Sequence, residues 1–119
     1  MNAPHGVVVH VTTDEATGWQ MALRNLANLV REEGVETRPE QIQVVVNGPA
    51  VRFLLASAPE APNVTQMAEA GVAVKVCGNS LERFDHGAEA LTDGVEVIGS
   101  GVAEVLRAQQ HGANYLKLP

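Results

Sequence analysis

The chain of 119 residues holds a single cysteine, Cys77, and Gly78-Asn79-Ser80 follow it. A thiol attacks only as thiolate, and its pKa of about 8.5 falls beside helix N-termini and cations. The apolar run Val72 to Cys77 reads as a strand, with a helix start at Ser80. The free N–H groups of Gly78, Asn79 and Ser80 could then stabilise negative charge on the sulfur, as thiolate or persulfide. Gly78 lets a substrate or a partner backbone come close. Strand alternation places Lys75 on the same face as Cys77, about 7 Å along the strand, where its cation would favour the thiolate further. The competing reading is plain packing, because free cysteine is among the most buried residue types and often behaves as a small hydrophobe.

Other small and polar residues fall at matching places. Thr12-Thr13-Asp14, Asn47-Gly48 and Gly99-Ser100-Gly101 each follow a Val-rich run, as Gly78-Asn79-Ser80 follows Cys77. In a parallel sheet the carboxyl ends of the strands share one edge, and open α/β sheets bind ligands there. Gly78, Asn79, Ser80, Asn47, Gly48, Gly99 and Ser100 are therefore the expected pocket residues around Cys77. The same residue types also serve ordinary turns and caps. His10 sits inside the first apolar run and reads as a packed histidine. His86 and His111 are far apart in sequence, and His5 falls in the N-terminal stretch. No histidine pair has metal-ligand spacing, so no metal is expected. GSGVAE at Gly99 to Glu104 lacks the third glycine of a dinucleotide fingerprint, and no phosphate-binding G-x-x-x-x-G-K-[ST] occurs. No cofactor is expected either.

The elements that must position these residues alternate between short apolar runs and helical stretches, the signature of a parallel sheet with crossover helices. Strands are predicted at Val7 to Thr12, Ile42 to Val46, Val72 to Cys77, Val95 to Ile98 and Ala113 to Leu118. Trp19, Leu23, Leu26, Leu29 and Val30 recur at helical spacing within Ala16 to Glu33, and Gly34 supplies a stop. Shorter helices are predicted over Ala50 to Ala56, from an Asn63 cap to Ala70, over Leu81 to Phe84, and over Val102 to His111. Asp85 to Gly94 reads as a loop with helical turns. The expected fold class is α/β: one three-layer α/β/α domain over residues 1–119 with a largely parallel five-stranded sheet.

Composition narrows the partners. The net charge is −6 with no basic cluster, so a nucleic-acid backbone would be repelled, and the scattered Trp19, Phe53, Phe84 and Tyr115 offer no stacking platform. No apolar run reaches the roughly 18–20 residues that cross a bilayer, and Met1 to Gly6 do not read as a secretion signal. A cytoplasmic location is expected, where a lone thiol stays reduced. Val64, Met67 and Phe84 have no evident polar counterface, and association between copies would cover such a surface.

At VKVCGNSL (Val74 to Leu81) the sequence resembles the DsrE/DsrF-like family of small sulfur-handling proteins. The likeness extends to NGPAVRFLL (Asn47 to Leu55) and to VIGSGVAEVLRAQQHGANYLKLP (Val97 to Pro119). VVVHVTTDE and ALRNLANLV match in style. The resemblance implies a largely parallel five-stranded sheet, self-association into trimers or hexamers, and partner proteins that donate and accept sulfur. In the sulfurtransferase members a cysteine carries sulfur as a persulfide, and Cys77 matches it by position. The expected function is thus a sulfur carrier or sulfurtransferase acting through a Cys77 persulfide. One cysteine per chain suits that role, since a second would capture the carrier as a disulfide. The alternatives are an oligomeric small-ligand or protein-binding module with an incidental cysteine, and a redox sensor whose thiol oxidises.

Overall fold

The computed structural model describes residues 6–119; His5 lies outside them. Five short strands, β1 (Val7–Val11), β2 (Ile42–Val46), β3 (Ala73–Cys77), β4 (Val95–Ile98) and β5 (Asn114–Leu118), form one sheet in the order β4-β3-β2-β1-β5. Every pairing is parallel. Parallel strands covered on both faces read as continuous apolar runs, and VVVHV, IQVVV and AVKVC do so because their valines are needed on both sides.

One face of the sheet presents Val7, Val9, Val11, Ile42, Val44, Val46, Val74 and Val76 to the larger core. Against it pack α1 (Ala16–Arg31) through Trp19, Ala22 and Leu26, a 3-10 segment Gly48–Leu54, α2 (Ala61–Glu69) through Val64, and α3 (Gly78–Arg83) through Leu81. The opposite face carries Val8 and Val45 beneath Val105 and Ala108 of α4 (Gly101–Gln110). These are the three layers expected. Each fully buried valine or leucine contributes about 1.5–3 kcal/mol relative to exposure, so the nearly aromatic-free core rests on their number.

The boundaries differ from the sequence reading where local chemistry intervenes. The second helix begins at Ala61 rather than at an Asn63 cap: Pro62 occupies its first turn, where a missing N–H is harmless, and Asn63 Nδ2 instead donates to Glu60 Oε1 at 2.7 Å. The stretch after β2 is 3-10 from Gly48, whose φ of +68° turns the chain directly out of the strand. Helix α3 starts immediately after Cys77, three residues before the expected Leu81 start. The loop from Asp85 to Gly94 holds one 3-10 turn at Ala88–Ala90. Val64 is wholly buried and Met67 packs on the same core, so they do not form the exposed apolar surface that the sequence led us to expect; Phe84 remains exposed.

Candidate functional site

Parallel register brings the predicted residues to one edge. Val76 is level with Val46, and Cys77 with Ile98, so Cys77 and Asn47 close adjacent strands side by side. The turns after β2, β3 and β4 meet there. Ser80, buried on α3, accepts a hydrogen bond at 2.8 Å from Gly48 N–H, and Asn79 N–H donates at 3.3 Å to the Gly99 carbonyl. Cys77, Asn79, Ser80, Asn47, Gly48 and Gly99 are thus in one constellation. Gly78 serves a tighter purpose: a Cβ there would stand 3.0 Å from the Ile98 carbonyl oxygen, so glycine lets α3 leave β3 against β4. Ser100 acts as a helix cap, its Oγ accepting from Ala103 N–H at 3.2 Å, which fixes the start of α4.

The environment of the sulfur is polar on one side. Burial pushes the Cys77 thiol up, but the Ser80 hydroxyl and the backbone N–H groups of Gly101, Ser80 and Asn79 outweigh it and hold the thiol below its ordinary value. Because the Ser80 oxygen is already accepting from Gly48, its own hydrogen is available to the sulfur. Hydrogen bonds to the anion favour it over the neutral thiol. Of these donors, Gly101 had no part in the expected site. Its signal lay in the Gly99-Ser100-Gly101 turn, which the sequence places at the carboxyl edge of the sheet without singling out Gly101. A methyl at Gly101 would lie 3.2 Å from Cys77 Cβ and 3.0 Å from Asn47 Cβ, so no side chain fits between them.

Two sequence expectations change. Lys75 does share the face of Cys77, but its ammonium is bound by Glu104 Oε2 at 2.6 Å and by Gln43 Oε1 at 3.1 Å, and it adds nothing to the thiol. The cation pins α4 to the sheet instead. The thiol is also less open than sulfur chemistry led us to expect: Cys77 is 5% exposed and lines none of the grooves described. A shallow depression beside Gly78, Leu81 and Val97 is the nearest. In the adjoining turns Asn79 and Gly99 are exposed, and nothing lies within 4 Å of where a Gly99 side chain would go.

His10, read from sequence as strand packing, is half-buried with both ring nitrogens engaged: Nε2 with Asn47 Oδ1 and Nδ1 with the Tyr115 hydroxyl at 3.3 Å. Nothing in the sequence pattern pairs His10 with Asn47; the β1–β2 register does. Among the described residues, no three His, Cys, Asp or Glu side chains gather as metal ligands would.

Three solved structures share this architecture. A protein of unknown function from Methanobacterium thermoautotrophicum, MTH1491, is 28% identical, with a TM-score of 0.83 over 93% of this chain and 96% of that one. The ychN protein of E. coli is 20% identical, with a TM-score of 0.69 over 95% and 99% of the two chains. BT1422 of Bacteroides thetaiotaomicron, also of unknown function, is 18% identical, with a TM-score of 0.71 over 93% of each. No curated protein sequence matches the chain. The DsrE/DsrF-like family profile matches residues 6–118, nearly the whole chain, and on that match the chain belongs to the DsrE/DsrF-like family.

Proposed function

We propose that this chain is a sulfur carrier that relays sulfur as a Cys77 persulfide between partner proteins. The observation that carries the reading is the place of the chain's one cysteine, at the end of β3, directly before α3 and against Gly101 of α4, where Ser80, Gly101 and Asn79 favour the anion in spite of burial. A donor persulfide R–S–SH would be attacked at its outer sulfur by the Cys77 thiolate. The S–S bond of the donor breaks, R–S⁻ leaves with the electron pair, and Cys77–S–SH forms. An acceptor thiolate then repeats the displacement, receives the sulfur and returns Cys77 as thiolate, with no net oxidation. Donor and acceptor would approach over Asn79 and Gly99. Among the described residues no helix is long and apolar enough to cross a membrane, and a cytoplasmic setting fits this reading because it keeps the carrier thiol reduced.

Incubation with a persulfide donor followed by intact-mass measurement tests the reading. Wild type gains one sulfur and Cys77→Ser gains none; no gain at any pH near neutrality overturns it. The low exposure of Cys77 favours a second reading, a non-catalytic oligomeric binding module. Both readings include self-association, as trimer or hexamer. Its support is the outer face of α4, where Val102 and Leu106 are 64% and 57% exposed, with Tyr115 of β5 exposed on the same side of the sheet.

A further inference from the structure

Adjacent strands carry a polar line back from the sulfur. Cys77 ends β3, Asn47 follows β2, His10 lies in β1 and Tyr115 in β5, the order in which these strands sit in the sheet. His10 pairs with Val45, two residues before Asn47, and Val8 pairs with Tyr115, so the line runs diagonally on the α4 face. An amide oxygen only accepts, so the His10 ring carries its proton on Nε2 and donates it to Asn47 Oδ1. Nδ1 of the neutral ring then accepts from the Tyr115 hydroxyl. The Asn47 amide is therefore fixed with its oxygen toward His10, and among the described residues no protein acceptor takes its nitrogen.

Asn47 and Cys77 flank Gly101. The site that a Gly101 side chain would fill is 3.3 Å from Asn47 Cγ and 3.2 Å from Cys77 Cβ. The resting thiol draws its donors from Ser80, Gly101 and Asn79, and Asn47 is not among them. A persulfide is different: its outer sulfur stands about 2 Å beyond Sγ, outside that set, and needs donors of its own. We propose that His10 is a positioning residue that turns the Asn47 amide N–H toward the outer sulfur of a Cys77 persulfide. The proposal rests on the sulfur-carrier reading. During loading, the sulfur under attack passes into reach of Asn47 as its old S–S bond breaks and the new one to Cys77 forms. The donor thiolate leaves with its electron pair to solvent. Neither His10 nor Asn47 gains or loses a proton.

The test measures two quantities on the full chain: the rate of sulfur uptake from a small-molecule persulfide by intact mass, and the pH profile of thiolate formation at the unloaded Cys77. His10→Ala slows uptake by about tenfold, the loss of one hydrogen bond's worth of stabilisation, and leaves the thiol profile in place. His10→Gln, whose amide N–H can reach Asn47 Oδ1, restores most of the rate. Asn47→Asp keeps an acceptor for His10 but removes the donor, and uptake falls as in His10→Ala. Uptake at the wild-type rate in His10→Ala or Asn47→Asp overturns the proposal while leaving the carrier reading intact. A shifted thiol profile in His10→Ala, or no rescue by His10→Gln, overturns it too, by assigning His10 a purely structural part. Absence of uptake in wild type removes the carrier reading, and the role of His10 with it.

Discussion

Cys77 shows how little a residue's burial says about its chemistry until its neighbours are named. The same 5% exposure in aliphatic surroundings would hold a thiol neutral; here the Ser80 hydroxyl and the N–H groups of Gly101, Ser80 and Asn79 outweigh burial. Gly101 is the donor that a substitution can displace most sharply. Gly101→Ala drives a methyl between Cys77 and Asn47, so α4 must retreat and its N–H with it, and the thiol titrates at higher pH than in wild type. Gly99→Ala meets open space and leaves the titration unchanged. Equal titration curves for wild type and Gly101→Ala would show that this N–H is not part of the thiol's stabilisation. At this scale the sequence was readable for Cys77, Asn79 and Ser80, because their contacts follow from a strand ending where a helix begins. It placed the turn of Gly101 at the sheet's edge but not its N–H against the sulfur, and it was silent on the pairing of His10 with Asn47, because these contacts cross strands far apart in the chain.

Among the elements, α4 links the core to the site. Its Glu104 bonds Lys75 of β3 and Arg107 on its own helix, with Glu104 and Lys75 side chains 15% and 17% exposed. The Lys75 ammonium beside Glu104 holds its carboxyl below the usual carboxylate range, against the opposing effect of burial. A carboxyl depressed in the folded state stabilises the fold above its unfolded pKa and ceases to do so as pH falls through the folded value. Glu104→Gln therefore costs about 2 kcal/mol at neutral pH, between the surface and fully buried limits for an ion pair. The gap from wild type closes in acid, and urea unfolding at both pH values measures it. A gap that does not change with pH would mean that the charge of Glu104 is not what anchors α4. The elements themselves were legible from alternating valine runs and helical periodicity; β2 and β4 fall at the predicted residues. Helix starts were less so, since Ala61 and Gly78 begin helices earlier than a search for polar caps would place them.

For the whole molecule, the unequal layers matter. Among the described residues, three helices and a 3-10 segment cover one face of the sheet and α4 alone covers the other, leaving Val102 and Leu106 outward on successive turns. Under the proposed self-association this face is the contact between copies. Leu106→Glu then yields a smaller species by size-exclusion chromatography with light scattering, without loss of helical signal. Unchanged mass in that variant, or a wild type that is monomeric at micromolar concentration, would contradict this contact. Strand order and the single-helix layer were not readable from one sequence, because both depend on which crossovers pass over which face. Two of the three apolar positions expected to drive association were misplaced for the same reason: Val64 and Met67 face this chain's own core, while Phe84 is exposed.

The account depends most on negative charge at Cys77, and because the chain has one cysteine its ultraviolet thiolate absorbance reports that residue alone. Titrating the folded protein and the urea-unfolded chain side by side measures it, with Cys77→Ser as the blank. The account predicts that the folded thiol ionises at lower pH than the unfolded one. A folded thiol that ionises at the same or higher pH would contradict it.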